Sequence, residues 1–229
     1  MAFSLVLASS SPRRRELLAL TGWKFATRPA DIDETPQPGE APGAYVLRLA
    51  VEKARVAAMQ AGAGQAPLKT AGCIVLAADT TVADRTEILG KPAHQAEAAA
   101  MLKKLRGKVH QVYTAIAVSA PALDAPLTDL CISNVPMRGY TDAEIEAYTA
   151  SGDPLDKAGA YAIQHAGFHP VEGFDGCFAS VMGLPLCHLA RTLQKTGVTP
   201  PVDIAAACQK HLDYDCPIFR AVLNGENVG

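Results

Sequence analysis

Six consecutive apolar residues, Cys73-Ile-Val-Leu-Ala-Ala78, constrain the fold of this chain more than any other stretch. A run of strand length with no polar alternation reads as a strand covered on both faces, the situation of sheets in α/β proteins. Even extended back to Ala71 it is too short to cross a bilayer. The run leads into Asp79-Thr80-Thr81, and this pattern predicts that the strand stops there, with Asp79 at its carboxyl end. Open α/β sheets place their ligands at that end. A carboxylate so placed is seldom left unpaired, so Asp79 is expected to meet a cation or to take part in chemistry.

The second informative stretch is Leu7-Ala-Ser-Ser-Ser-Pro-Arg-Arg-Arg-Glu-Leu-Leu18. Phe3, Leu5 and Leu7 alternate as in a strand, Ser11 is a good N-cap, Pro12 suits the first helical position, and Thr21-Gly22 closes the helix. The free N–H groups of that helix start, with Ser9, Ser10 and Ser11 before it and Arg13, Arg14 and Arg15 in its first turn, could converge on a phosphate. Arginines there oppose the helix dipole, so helix stability does not explain them. The plain alternative is a solvated basic turn.

Between these stretches, Phe25 and Thr27 read as a short strand, and Ala30 to Glu40 as an acidic, proline-rich loop. Asp31, Asp33 and Glu34 are either turn and solvation residues or include a ligand for a hard divalent cation. Pro42 to Met59 is a predicted helix with Val46, Leu49, Ala50, Ala54 and Ala57 on one face, and Lys53 falls on that stripe. Its amine is either a snorkelling surface group or an inward phosphate ligand. Gly62-Ala-Gly64-Gln reads as a flexible connection and lacks the third glycine of a dinucleotide fingerprint.

Downstream, a turn is predicted through Asp84 to Glu87, and Gly90 and Pro92 hold Lys91 on a stiff loop. A helix over His94 to Arg106 ends at Gly107. Val112, Thr114, Ile116 and Val118 alternate as one strand of a hairpin whose partner is Thr128 to Val135. Thr141-Asp-Ala-Glu144 is a capping box for a helix to Ala150. The small residues of Asp156 to Gln164 permit close backbone approach; Lys157 begins the stretch and Gln164 ends it, its amide either suited to a nucleobase edge or an ordinary hydrogen-bonded or exposed glutamine. Glycine-rich Gly173 to Gly183 precedes a helix burying Leu186, Leu189, Ala190 and Leu193. Cys187 and His188 on it point about 100° apart and make a poor dyad. After Thr199-Pro-Pro201 only a helical stretch around Ile204 to His211 is legible, and Cys208, His211 and Cys216 are weak candidates for a metal site.

At 229 residues the chain is long enough to bury a core. Its net charge of −2 gives no global attraction to nucleic acid or anionic membrane, so an anion site must be a local cluster of cations. No extended basic stripe or aromatic stacking run points to nucleic acid. The N-terminus shows no signal segment, which makes a cytoplasmic location the default expectation. Six cysteines without C-x-x-C spacing favour buried thiols over disulfides or zinc.

Taken in order, the Ser9–Leu18 motif, Asp31-Ile-Asp-Glu-Thr35, Arg48-Leu-Ala-x-x-Lys-Ala54, Ala78-Asp-Thr80, Gly90-Lys-Pro92, Lys157-Ala-Gly-Ala-Tyr161 and Gly183-Leu-Pro-Leu186 resemble the Maf family of nucleotide pyrophosphatases. The resemblance covers residues 4 to 196. It implies an α/β fold: a mixed twisted sheet flanked by helices in two lobes around a cleft, related to inosine triphosphate pyrophosphatases. Residues 1–197 would form that domain and 198–229 a C-terminal extension without a family counterpart.

The implied activity is divalent-metal-dependent hydrolysis, with magnesium or manganese, of a nucleoside triphosphate to monophosphate and pyrophosphate. Arg13, Thr80 and Gln164 match the dTTP/UTP branch, whereas the 7-methyl-GTP branch carries tryptophan, glutamine and glutamate there. The implied roles are Asp79 as general base or metal ligand, Glu34 as a metal-side carboxylate, and Arg13, Arg14, Lys53, Lys91 and Lys157 as phosphate cations, Lys91 also acting in catalysis. Ser9 would add a neutral donor. Cys177 and Ser180 depart from the family's usual serine and asparagine. The alternative is a non-catalytic nucleotide-binding regulator of cell division or septum formation, and a homodimer is one assembly compatible with the resemblance.

Overall fold

The computed structural model describes residues 3–63 and 72–229. Its centre is strand β3 (Cys73–Asp84), which runs parallel to β1 (Ser4–Leu7) on one edge and antiparallel to β5 (Val109–Ser119) on the other. β2 (Phe25–Thr27) lies parallel to β1 on its outer side, and β6 (Leu127–Pro136) pairs with β5, giving the order β2-β1-β3-β5-β6. A sixth strand, β4 (Glu87–Leu89), folds back on the end of β3 through the predicted turn. The predicted hairpin is the β5–β6 pair.

β3 is longer than its apolar run suggested. Asp79 does not end the strand; it lies in the middle of twelve residues. The parallel register with β1 stops at Leu7↔Leu76, while pairing with β5 continues without a break from Val75 to Ala83. Pairing to a neighbour, which carries no signal in β3's own hydrophobicity, holds the polar half of the strand extended. Because β5 occupies one edge throughout, β1 and β4 share the other, and β4 begins only at Val82↔Leu89. The edge of β3 between Leu76 and Val82 therefore has no strand neighbour among the described residues, and the cleft opens in this gap.

The helices cover both faces. α1 (Pro12–Ala19) starts as read, with Ser11 accepting from the Arg14 backbone N–H and Leu17 and Leu18 fully buried. α2 (Pro42–Ala63) packs Val46, Ala50, Ala54 and Ala57 against Val75 and Ala77 of β3 and Ala115 and Ala117 of β5, and buries Leu49 as well. The small residues let helix and sheet backbones approach closely. The helix outruns its predicted end: Gly62 and Ala63 are helical rather than a connection, and Gly64 and Gln65 lie outside the described residues.

On the opposite face, Leu76 and Ala78 pack with α1 and with α6 (Leu186–Gln194). A separate cluster joins α3 (Gln95–Leu105), α4 (Asp142–Ala150) and Val82 at the far end of β3. α4 carries the expected capping box. A short helix, α5 (Phe178–Val181), lies inside the glycine-rich stretch, where the sequence offered no periodicity long enough to show it.

Residues beyond 197 pack into the same core as β1 and α1. Ile204 and Ala205 of α7 (Ile204–Leu212) and Val222 of α8 (Phe219–Leu223) are buried there. Arg191 of α6 ties them down, bonding both carboxylate oxygens of Asp129 and the backbone carbonyls of Val222 and Glu226. All six cysteines are free, but only Cys131, Cys177 and Cys187 are buried, the other three being half-buried.

Candidate active site

A cleft of about 460 Å³ opens at the gap beside β3. Ser9, Arg13, Arg14, Glu34, Lys53, Asp79, Thr80, Lys91, Lys157 and Gln164, the residues to which the resemblance gives roles, line it, whereas Arg15, Asp31 and Asp33 do not. Asp79 and Thr80 are consecutive on a strand and so point to opposite faces of the sheet. Asp79 lies on the α2 face and Thr80 on the α1 face, and the cleft reaches both because the sheet is interrupted there.

On the α2 face, the Lys53 Nζ stands 2.7 Å from an Asp79 carboxylate oxygen and 2.7 Å from a Glu34 one. Lys53 and Asp79 are 8% and 6% exposed, so this is a buried ion pair with one further carboxylate at its open side. Burial raises the Asp79 carboxyl above its ordinary value, with Lys53 and then Arg14 opposing the shift. Glu34 is also pushed upward by burial, but its hydrogen bond and charge contact with Lys53 win and hold it below its ordinary value. One acid is thus biased toward holding a proton and its neighbour toward charge.

The loop that brings Glu34 here is strapped to α2. Tyr45 donates to the Glu34 backbone carbonyl at 2.9 Å, and Arg48 makes a two-pronged bond to Glu40 at 2.7 and 2.8 Å and also reaches the Thr35 carbonyl. Tyr45 lines the cleft; burial, then the Asp79 and Glu34 charges, push its hydroxyl up to about 12. Asp33 takes the turn role, accepting from the Thr35 N–H at 2.9 Å. The sequence reading gave Tyr45 no role, although it stands two steps of four residues before Lys53 on α2, a spacing that places both along one side of the helix.

The cations differ in how free they are. Lys91 is exposed at the rim and pairs with no described carboxylate. Arg13 lies 3.8 Å from Asp156. Lys157 is buried and already bonded to the Asp153 carbonyl and to the Asp153 and Asp156 carboxylates. Arg14 donates to the Gly183 carbonyl at 2.9 Å and to Thr80 Oγ1 at 3.1 Å, with a longer contact to Ser9 at 3.5 Å. Burial lowers its pKa, although the Asp79 and Glu34 charges resist. Lys157 and Arg14 therefore fix the walls of the cleft as well as contributing positive potential.

Gly159 shows why small residues follow Lys157. Its φ is +68° and a Cβ there would meet Val82 Cγ1 at 2.9 Å, while its N–H bonds the Gly90 carbonyl, so the loops of Lys157 and Lys91 are tied together.

Among the described residues no three His, Cys, Asp or Glu side chains gather around a common point. Glu34 and Asp79 converge on the Lys53 nitrogen, as Asp153 and Asp156 do on that of Lys157. One buried carboxylate, Asp79, with the half-exposed Glu34 beside it fits a magnesium-type ion completed by water and substrate phosphates, and does not fit an all-protein cage.

A strand-bordered cleft with one buried acid, a second acid at its edge and five cations from four separate segments defines an α/β protein built to receive a polyphosphate. The chain belongs to the Maf family: residues 4–196 match the family model described as Maf-like protein. It is 47% identical over 197 residues to a dTTP/UTP pyrophosphatase of Myxococcus xanthus, covering 86% of this chain and 94% of the relative. Proteins of that name from Anaeromyxobacter dehalogenans and Pasteurella multocida are 46% and 42% identical, covering 88% and 86% of this chain and 98% and 97% of theirs. Among solved structures, the Staphylococcus aureus Ham1 protein aligns with a TM-score of 0.44 at 14% identity, over 75% of this chain and 80% of that one, a likeness too slight to carry an argument. No described helix is long and apolar enough to cross a membrane.

Proposed function

We propose that this protein is a nucleoside triphosphate pyrophosphatase, acting on dTTP and UTP as its relatives' names state and releasing monophosphate and pyrophosphate in the upkeep of cytoplasmic nucleotide pools. The observation that carries the reading is the Lys53-bridged pair of Asp79 and Glu34 facing the serine-arginine turn across a single cleft.

Hydrolysis between the α- and β-phosphates needs a water in line with the leaving pyrophosphate and charge to match the oxygens on either side of the bond. Asp79 accepts the proton of the attacking water; its upward-shifted carboxyl is a better base than an ordinary aspartate, and the Lys53 charge opposes that shift. Arg13, Lys91 and the N-terminus of α1 draw charge from the phosphate chain, while Arg14 and Lys157 hold the walls and add to the field. Ser9 lines the same end and offers a hydroxyl. Glu34 and Asp79 would hold a divalent cation, which when bound supplies further neutralisation of the phosphate oxygens. Gln164, exposed at the rim, meets the base. The presence of Asp79 together with Lys53 and Lys91 favours turnover over a purely regulatory nucleotide binder.

The test is pyrophosphate release from a panel of nucleoside triphosphates with and without magnesium or manganese. Asp79→Asn keeps the shape and removes the base, so kcat should fall at least a hundredfold with little change in nucleotide affinity. Near-normal turnover in that variant would remove Asp79 from the role of base.

A further inference from the structure

Every proton of the Lys157 ammonium already has an acceptor. Its three donors meet the Asp153 carbonyl oxygen, an Asp153 carboxylate oxygen at 3.0 Å and an Asp156 carboxylate oxygen at 2.6 Å. The other Asp156 oxygen stands 3.8 Å from Arg13 Nη1. Two carboxylates thus answer two cations at this end of the cleft, and no charge is left over to draw a phosphate. A phosphate oxygen reaches the Lys157 nitrogen only by taking the place of one acceptor.

The two carboxylates are not equally free to leave. The Asp153 side chain is held a second time, by the Tyr148 hydroxyl at 2.7 Å, and that hydroxyl is itself fixed by the Ala162 N–H at 3.1 Å. Asp156 ends a single tight helical turn (Asp153–Asp156), lines the cleft, and has a side chain that is 67% exposed. Turning it outward breaks two contacts of a well-hydrated group and strands no charge, because water receives the carboxylate. Its two oxygens, one toward each cation, stand where two oxygens of a phosphate would bind.

We infer that Asp156 is a displaceable counter-anion, holding the place of a substrate or product phosphate on Arg13 and Lys157. The inference rests on the proposed nucleotide substrate and adds how its phosphates are admitted and its product let go. The incoming phosphate exchanges with Asp156 and leaves Lys157 anchored on Asp153. The returning carboxylate competes with bound pyrophosphate for the same two cations, which weakens product binding and hastens release.

The test is calorimetric titration of inorganic pyrophosphate into wild type and Asp156→Asn, in EDTA and in magnesium, at low and at high salt. The asparagine keeps the size and removes the charge, so pyrophosphate should bind about fivefold tighter at low salt with or without the metal. The gain should shrink at high salt. In turnover, KM should fall and pyrophosphate should inhibit at lower concentration. Asp156→Glu restores the charge and should return the wild-type affinity, which a merely structural role would not require. Asp156→Ala, which cannot hold Lys157 at all, should tighten binding at least as much as the asparagine. Unchanged or weaker pyrophosphate binding in both uncharged variants overturns the inference, and weakening confined to the magnesium arm would make Asp156 a metal ligand instead. Tightening in a protein that hydrolyses no nucleotide supports the exchange and sinks the enzymatic reading alone.

Discussion

Replacing Lys53 with methionine keeps most of the buried stem and removes the ammonium that bridges Asp79 and Glu34. Glu34 is about half exposed and can turn to water, but Asp79 is 6% exposed and is stranded. The destabilisation has an upper bound, because the stranded carboxylate can escape by taking a proton. Against its ordinary value of 3.8, protonating Asp79 at pH 7 costs about 4 kcal/mol and at pH 5 about 2 kcal/mol. The figure at pH 7 falls within the ~3–5 kcal/mol expected for breaking a buried pair. The sign follows from linkage: in the variant the folded pKa lies above the unfolded one, so the folded state holds more protons and loses stability as pH rises above about 4. Urea unfolding followed through the single tryptophan, Trp23, which is buried beside α1, measures the effect at pH 5, 6 and 7. The loss relative to wild type should shrink on acidification, and adding Asp79→Asn to the variant should restore most of it. An equal loss at pH 5 and pH 7, unaffected by the second substitution, would refute the stranded-charge account and point to packing of the lysine stem.

Two further outcomes are expected. His110 is buried, with one ring nitrogen on the Tyr161 hydroxyl at 2.8 Å and the other without a partner among the described residues, and burial pushes it down to about 4. The folded state therefore prefers the neutral ring: its contribution is fully present above about pH 6.5 and lost as pH falls toward 4, a swing of about 3 kcal/mol. His110→Gln should flatten that part of the stability–pH curve, and parallel curves for the two proteins would show that another group is responsible. Arg191→Met removes the partner of a largely buried Asp129 and two carbonyl anchors around α8, at about 3 kcal/mol. Hydrogen exchange should quicken across residues 219–226; unchanged protection there would mean that apolar packing alone holds the extension.

Much of the candidate site could be read from local chemistry. The N-cap and proline of α1, the stripe of α2, the capping box of α4 and the stiff Gly90–Pro92 loop are short-range patterns, and each stands where its residues put it. Thr114 was legible as a member of a buried alternating row, and a threonine among Val112, Ile116 and Val118 was the available sign that a hydroxyl there needed a partner. Nothing local could name that partner, the Ser180 carbonyl oxygen at 2.8 Å. Nor could the apolar run show that β3 continues past Asp79, because the groups holding it extended belong to β5. The cations illustrate the same limit: the sequence counted five, but only the packed chain distinguishes exposed Lys91 from Lys157, already held by its own carboxylates.

By itself, then, the amino-acid order determined where the longer helices lie, which of their faces are apolar and which side chains carry charge, since those follow from periodicity and from groups a few positions apart. The tertiary structure decided that a lysine on α2 meets an acid 26 residues later and another in a loop before it, and that Asp79 and Thr80 serve opposite faces of one interrupted sheet. Those are distances across space. They depend on where β1 stops and β4 starts beside β3, and strand pairing of that kind is set by the whole core rather than by any segment within it.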